Sequence, residues 1–351
     1  SPFIYGDYCI AFNYIWLLKS ILLLCKIGAM EIKRYNIILP PIRDDVSGYT
    51  YLGRIANAIL SEPQHRYVFD FSKCSTISHN GLAVIGGICN YLKRYEESSS
   101  KLSGLGLSNW LAPDKVGFKI DGISPPLMDK LRLIGFWNYV EPNYGVIGSK
   151  DYIGYREHET VLEDSEIVNH LRNSWLTGEK LSMSEPLKAE IVSSIYEIFV
   201  NAYGHGLKDN LYRQSVISCG YYDNKSKELS LSVLDFGGGI VKSVQKHTGM
   251  ADRQRAFEWA LEVGNSTRTD SSSDLPRGLG FGILKEFVQL NGGVLRVCSD
   301  SYMATIDQGS DYTTNELPGF FAGTLVSITV KCDNNHYKLK AETVDELPTY
   351  F

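Results

Sequence analysis

Three polar residues in the second half of the chain recur at helical spacing: Glu197, Asn201 and His205. Glu197 and Asn201 belong to a helical pattern from Leu187 to about Tyr203, and His205 follows it. Residues four apart share a helix face. A carboxylate and a carboxamide on one face can hold a water and a hard cation, because Mg²⁺ takes few protein oxygens beside phosphates and waters. The polar side of an ordinary helix end is the alternative interpretation of this motif alone.

A second motif follows the apolar segment Glu228–Asp235, which predicts a strand. Asp235 closes that strand, and Gly237, Gly238 and Gly239 come directly after Phe236. A carboxylate at a strand end can accept a hydrogen bond from an exocyclic amine, and glycines let a flat ring approach the main chain. A simple glycine turn after a strand is the competing interpretation.

A third motif reads RGLGFGI at residues 277–283. A helix is predicted to start after its glycines and to run to about Leu290. Glycines that open a helix present backbone N–H groups and the positive end of the helix dipole to an anion. A flexible loop before an amphipathic helix is the alternative. The chain contains no Walker A sequence, so a nucleotide would be bound on another scaffold.

Together the three motifs resemble the N, G1 and G2 boxes of the GHKL superfamily, the ATP-binding module of gyrase, heat-shock chaperones, histidine kinases and MutL. The segment GLGFGILKEFVQLNGG, from residue 278 onward, is similar to the corresponding histidine-kinase segment almost throughout. The sequence GTLVSITV, which begins at Gly323 and Thr324, resembles the last strand of that module. The resemblance covers about residues 181–332, in the expected order.

The resemblance implies an α/β sandwich that binds ATP and Mg²⁺. By family roles, Asn201 would bind Mg²⁺, and Glu197 would be the catalytic residue that orients or activates a water or an acceptor hydroxyl. Asp235 would accept a hydrogen bond from the adenine N6 amine, assisted by Thr324. The other residues that the resemblance assigns to the nucleotide lie in the same motifs: His205, Gly237, Gly239, Ile240, Gly278, Leu279, Gly280, Phe281 and Gly282.

Within that set, the resemblance gives Gly237 and Gly239 the adenine pocket. The glycines at 278, 280 and 282 would cradle the phosphates, and residues 241–277 would form a mobile lid. Arg277 is expected to contact a phosphate because of its charge and its position.

The first half of the chain contains YVFDFSKCSTISHNGL at residues 67–82. This segment resembles the strand–turn–helix signature of STAS domains, the fold of anti-sigma-factor antagonists, and the resemblance covers about residues 31–145. The family turn commonly carries two serines, one of them phosphorylated. In this chain neither of those two positions holds a serine, and Ser78 lies one residue before the first of them. The sequence therefore does not predict a phosphorylation switch. His79 is expected to be a polar residue at a helix start.

These resemblances predict an α/β protein with an N-terminal STAS-like domain at 30–145, a linker at 146–180 and a GHKL domain with a mixed sheet at 181–351. Residues 1–29 are expected to form a leader outside the fold. A packed helix and a membrane anchor are the alternatives for the apolar stretch at 8–25, which contains Lys19.

Composition excludes several classes of protein. The formal net charge is −5, so the basic footprint of a nucleic-acid-binding protein is absent. The seven cysteines show no zinc, haem or disulfide-framework spacing, which favours the reducing cytosol. A protein partner or a homodimer through the STAS-like domain is expected, and a membrane partner is not.

The sequence therefore predicts a Mg-ATP-binding signalling protein in which nucleotide controls the lid as a switch, with slow hydrolysis. The alternative is an anti-sigma-type serine/threonine kinase that phosphorylates a partner, with Glu197 as base. Enzyme class is left open between ATPase and kinase. A non-enzymatic interaction module is disfavoured because the nucleotide positions carry competent residues. An orthodox histidine autokinase is also disfavoured, because His158 and His170 lie in no two-helix heptad pattern.

Overall fold

The computed structural model describes residues 32–102, 116–137, 152–159, 164–203, 215–262 and 279–342. Its helices, named in chain order, are α1 (Val46–Ser61), α2 (His79–Leu102), α3 (Pro125–Leu133), α4 (Asp164–His170), α5 (Glu185–Asn201), α6 (Ile240–Thr248), α7 (Arg253–Leu261) and α8 (Leu279–Asn291). Its strands are β1 (Arg34–Ile38), β2 (Arg66–Asp70), β3 (Val116–Lys119), β4 (Tyr152–His158), β5 (Ser182–Met183), β6 (Val216–Asp223), β7 (Glu228–Asp235), β8 (Val294–Asp307), β9 (Ser310–Lys331) and β10 (His336–Tyr337).

The first unit, made of β1–β3 and α1–α3, is an α/β layer. Its three strands are parallel in the order β1-β2-β3. Asp45 caps α1 by accepting a hydrogen bond from the backbone of Gly48, which satisfies one of the free N–H groups of the first turn. Helices α1, α2 and α3 all contribute buried apolar residues to one core on one face of this sheet.

Helix α2 is buried all round over residues 81–92, which is typical of a helix enclosed between two layers. Two consecutive glycines bring it close to the second sheet. A Cβ on Gly86 would lie 2.2 Å from the ring of Tyr155, and one on Gly87 would lie 2.9 Å from the side chains of Leu234 and Phe236. These positions therefore require the smallest residue.

The second sheet has five antiparallel strands in the order β4-β6-β7-β9-β8. Strand β7 has the predicted bounds, and α5 begins two residues earlier than predicted, with Pro186 in its first turn and Ser184 as its cap. Strands β8 and β9 are longer than the predicted 294–298 and 324–331, since they continue as a hairpin through residues 299–322. A polar run, TTNE at 313–316, hides this extension in the sequence.

Strand β4 lies in the segment 146–180 that the sequence analysis treats as a linker. It pairs with β6 as the edge strand of the five-stranded sheet. Helix α4 follows and continues as a π-helix at Leu171–Trp175, whose two end residues are buried. The segment YIGYREH carries too few aliphatic residues to show a clear alternation, so only its pairing with β6 reveals the strand.

The five-stranded sheet has two covered faces, set by the alternation of its side chains. The front face packs against α5–α8 and includes Val233, Val297 and Val326. The back face packs against the first unit and includes Leu234 and Leu325. The first unit and the sheet thus share one core, and the chain is a mixed α/β structure with one parallel and one antiparallel main sheet. No helix among the described residues has the length and apolarity needed to cross a membrane.

Candidate functional site

Three polar side chains form a row across the front face at one end of the sheet. Asp235 on β7 pairs with Thr324 on β9, and Thr324 pairs with Ser299 on β8. Directly paired residues in an antiparallel sheet project to the same side. Val233 and Val326, two residues from Asp235 and Thr324, belong to the front-face core, so the row projects to that face. The paired strands thus place Asp235, which is predicted to bind adenine, beside Thr324, which is predicted to assist it.

The carboxylate of Asp235 is 5% exposed and is held by its own turn. Its Oδ1 accepts a hydrogen bond of 2.8 Å from the backbone N–H of Gly237. This contact holds the buried carboxylate in one orientation at the strand end. Asp235 is therefore a preorganised hydrogen-bond acceptor.

Glycines form the backbone corner beside this carboxylate. Gly239 has φ +76° and Gly323 has φ +92°, both in the left-handed region that side chains rarely adopt. A Cβ on Gly323 would lie 1.9 Å from the carbonyl oxygen of Asp235. Strands β7 and β9 approach each other closely here only because residue 323 lacks a side chain.

Ser299 ties this corner together, and the sequence analysis missed it. Its buried hydroxyl accepts a hydrogen bond of 2.9 Å from the N–H of Ile240 and donates one of 2.7 Å to the carbonyl of Gly323. It therefore fixes the start of α6 and the glycine before Thr324. The signal available in the sequence was a serine at the end of an apolar strand, which is too common to stand out.

Asp300, also missed, anchors the next helix. It has φ +60°, uncommon for a residue other than glycine, and lies at an irregularity in the β8–β9 pairing. Its carboxylate forms an ion pair with Arg253, the first residue of α7, and accepts the N–H of Ser301. Adjacent residues of β8 thus hold the starts of α6 and α7.

The predicted lid at 241–277 is helical in its first part. Residues 241–248 belong to α6, and α7 follows; Val241, Val244 and Phe257 are buried in the front-face core. Residues 263–277 lie outside the described part of the chain. The first part of this segment is therefore packed against the sheet.

Helices α5 and α8 pack against each other on the same face. Glu197 is half-buried on α5, and Asn201, the last residue of that helix, is exposed. The prediction that α8 starts after the glycines is wrong by one turn. The helix begins at Leu279, so Gly280, Phe281 and Gly282 lie in its first turn. Packing against α5 compensates for the low helix propensity of glycine here.

Three residues predicted for the nucleotide site lie outside the described residues: His205, Arg277 and Gly278. Among the described residues, no group of three or more His, Cys, Asp or Glu side chains could hold a metal ion. The donor set predicted for Mg²⁺ has a different chemistry, a single amide oxygen completed by phosphates and waters, and the exposed side chain of Asn201 fits that part.

Burial keeps three histidines of the described structure neutral. His158 lies on β4, with Nε2 2.8 Å from the hydroxyl of Ser218, and burial lowers its pKa to about 4. His170 ends α4, and burial lowers its pKa to about 3. His79 begins α2 as expected for a polar residue at a helix start, but it is only 2% exposed, and burial lowers its pKa to about 4.

Neither His158 nor His170 stands on a long helical hairpin, the usual context of a phosphoacceptor histidine. The ring nitrogens of His79 and His170 are buried and have no hydrogen-bond partner in the described part of the chain. These histidines are therefore part of the packing of the protein.

Comparison of the chain with protein-family models finds no match, and a search of curated proteins finds none either. The function is therefore inferred from the geometry of the site and from the resemblance of the motifs.

Proposed function

We propose that the chain is a Mg-ATP-binding signalling protein with the GHKL fold, in which the front face of the five-stranded sheet forms the nucleotide site. One observation carries the proposal: Asp235 and Thr324 stand side by side on the face that α5 and α8 cover. The four matching segments lie up to 127 residues apart in the sequence, from Glu197 to Thr324. In the structure α5, Asp235, α8 and Thr324 all lie on one face of the sheet.

In this proposal Asp235 accepts the exocyclic amine of adenine. Its carboxylate is held in place for this role by the N–H of Gly237, which donates to Oδ1. The carboxylate is buried, so a hydrogen bond there is worth more than one in water. This arrangement favours adenine over guanine.

Asn201 and Glu197 act at the other end of the nucleotide. Asn201 would supply an amide oxygen to a magnesium ion, which would neutralise phosphate charge when bound. Glu197, one turn earlier on the same helix face, would orient a water or an acceptor hydroxyl. A general base acts on the proton of the reacting group and not on nucleotide binding. Loss of Glu197 should therefore lower turnover and leave ATP binding unchanged.

The STAS-like fold is part of the same proposal for the first unit. The turn that carries Ser78 and His79 faces the back of the sheet. The ring centroids of His79 and Tyr221 are 5.9 Å apart. This geometry argues against transfer of phosphate to that turn within one molecule, because Asp235 belongs to the opposite face. Nucleotide would therefore act as a switch ligand, with slow hydrolysis.

The experiment is incubation of the full chain with Mg²⁺ and γ-labelled ATP, with measurement of released phosphate and of label on protein. We expect ATP binding, slow phosphate release and no labelled protein. Glu197→Ala should bind ATP like the parent chain and lose turnover, whereas Glu190→Ala, on the same helix, should change neither. Label on this chain or on an added protein acceptor would replace the switch by the kinase alternative. Failure of the parent chain to bind ATP would overturn the proposal.

A further inference from the structure

The described residues cover the parallel sheet of the first unit on one face only. Tyr67 and Phe69 point into the core shared with α1 and α2. The alternate residues Arg34, Asn36 and Val68 line an open cavity on the other face. Parallel sheets are almost always covered on both faces, because each strand contributes apolar side chains to both. The uncovered face is therefore the exception that needs explanation.

This open face has the shape of a shallow cup. The cavity has a volume of about 560 Å³ and is also lined by Lys119, Ile120 and Asp121. A Cβ on Gly117, in the middle of the floor, would meet only the side chain of Val68. No other atom of the described residues lies within 4 Å of that position.

Two arginines lie next to each other at one end of the cup. Arg34 on β1 pairs directly with Arg66 on β2. Like charges in directly paired positions destabilise a sheet. In the ranges that the structure describes, neither guanidinium makes an ion pair or a side-chain hydrogen bond. The pair is therefore an anion site whose counter-charge does not come from the described residues.

The other end of the cup is mixed in character. The buried Asp70 accepts a hydrogen bond of 3.0 Å from Lys119 and another from Asn36. Hydrogen bonds from Ser72 and then from Lys119 hold the pKa of Asp70 well below its usual range, so its charge is compensated. Ile38, which is 54% exposed, and Ile120, which is 37% exposed, add aliphatic surface beside it.

The spacing of these features selects the kind of occupant. Arg34 and Ile38 lie four residues apart on one strand, a distance of about 13 Å at 3.3 Å per residue. A single phosphate is too small to contact both ends. A nucleic acid would leave the aliphatic side chains at the second end without apolar contacts. A polypeptide with acidic and aliphatic side chains in succession matches both.

We propose that this open face is a docking surface for an acidic segment of a partner protein. Carboxylates of the segment pair with Arg34 and Arg66, whose planar guanidinium groups suit bidentate contacts. One or two aliphatic side chains of the segment cover Ile38 and Val68. The surface is distinct from the nucleotide site, because it belongs to the other sheet.

The test is titration of the full chain with a fluorescent 16-residue peptide of alternating Glu and Leu blocks, followed by anisotropy. We expect micromolar binding that weakens with added salt. Arg34→Glu and Arg66→Glu should each weaken it at least tenfold. Lys225→Glu, in the exposed turn after β6, is the matched charge reversal and should leave it unchanged. A peptide with Lys in place of Glu should not bind.

Equal binding by the parent chain and Arg34→Glu would overturn the proposal, as would no binding of the acidic peptide. Competition by inorganic phosphate at the concentration of the peptide would also overturn it, because a small anion would then account for the site.

A second measurement tests whether the chain covers this face with its own residues. Asn36→Cys should react with a maleimide as fast as Ser226→Cys in the exposed turn, with each site read by peptide mapping. Addition of the acidic peptide should protect only Asn36→Cys. Protection of Asn36→Cys before any peptide is added would mean that another part of the chain occupies the face, and would contradict a partner site.

Discussion

The two faces of the five-stranded sheet are built by different means. The back face is joined to the first unit by close packing, with glycines of α2 against Tyr155 and Leu234 and an ion pair between Arg296 and Asp44. The front face ends in a polar row and a glycine corner, where Ser299 holds backbone groups in place. The back face depends on the close fit of its side chains, and the front corner depends on hydrogen bonds and backbone conformation.

The difference teaches where function can reside. Close packing fixes a surface and leaves no room for a ligand. A row of polar side chains beside strained backbone costs free energy of folding, which is the pattern found at binding sites. The front face therefore carries the functional hypothesis, and the back face joins the sheet to the first unit.

The largest effect is expected at the front corner. Gly323→Ala adds a Cβ 1.9 Å from the carbonyl oxygen of Asp235 and forces φ +92° on alanine. We expect a loss of about 3 kcal/mol or more in the free energy of unfolding, measured by urea titration. Gly249→Ala is the control, because its φ is +73° with nothing within 4 Å, so only backbone strain applies. Equal losses in the two variants would mean that the close approach is unimportant.

The next largest effect is a loss of stability at low pH, to which buried histidines on both faces contribute. His79 lies at the back face, whereas His158 and His170 lie beside α5, and the folded pKa of each is about 4 or lower. An unfolded histidine has a pKa near 6.5, so the unfolded chain binds protons first as pH falls. Each ring should reduce the free energy of unfolding by about 1.4 kcal/mol per pH unit from pH 6.5 to about 4, with no effect above that range.

His79→Leu isolates the contribution of the back face. The leucine needs no hydrogen-bond partner, whereas the buried ring nitrogens of His79 have none in the described structure. We expect this variant to be more stable than the parent at pH 5 and to show a shallower loss on acidification. An unchanged slope would show that His79 is solvated or paired.

A smaller effect is expected from close packing at the back face. A Cβ on Gly86 would lie 2.2 Å from the Tyr155 ring, which can shift in part. Gly86→Ala should cost about 1–3 kcal/mol in urea unfolding and leave nucleotide affinity unchanged. Gly178→Ala, with open space around it, should be nearly neutral. A loss of nucleotide binding by Gly86→Ala would contradict the separation of the two faces.

The smallest effect is expected where the front face meets solvent. Arg253 pairs with Asp300, but its side chain is 54% exposed, so water and salt screen the pair. Arg253→Gln should cost about 1 kcal/mol or less, and the loss should shrink at 1 M salt. Arg255→Gln, whose partner Glu262 is also partly exposed, provides the comparison. A loss that does not depend on salt would assign Arg253 a packing role.

Local patterns predicted some of these elements and not others. Strand β7 and helix α5 have strong periodicity and a cap or a glycine stop, so their bounds were predicted closely. Strand β4 and the extension of the β8–β9 hairpin depend on pairing between distant segments. No local signal marks them, because their residues are polar or aromatic in no regular alternation.

The candidate site shows the same division. Asp235 and Thr324 were predicted together from separate motifs, and the register of β7 and β9 pairs them. Ser299 and Asp300 were missed, because their importance comes from backbone groups that only the folded sheet brings to them. The packing of the first unit on the back face was also missed, since glycine spacing within α2 does not identify the surface that it meets.

The most direct test of the central claim is calorimetric titration of Asp235→Asn with ATP in the presence of Mg²⁺. The matched control is Asp307→Asn, because Oδ1 of Asp307 accepts the N–H of Gly309 at 3.0 Å, the same local contact that Asp235 makes with Gly237. The account predicts binding by the parent chain and by Asp307→Asn, and no detectable binding by Asp235→Asn with unchanged stability. Normal ATP binding by Asp235→Asn would contradict the assignment of the front face as the nucleotide site.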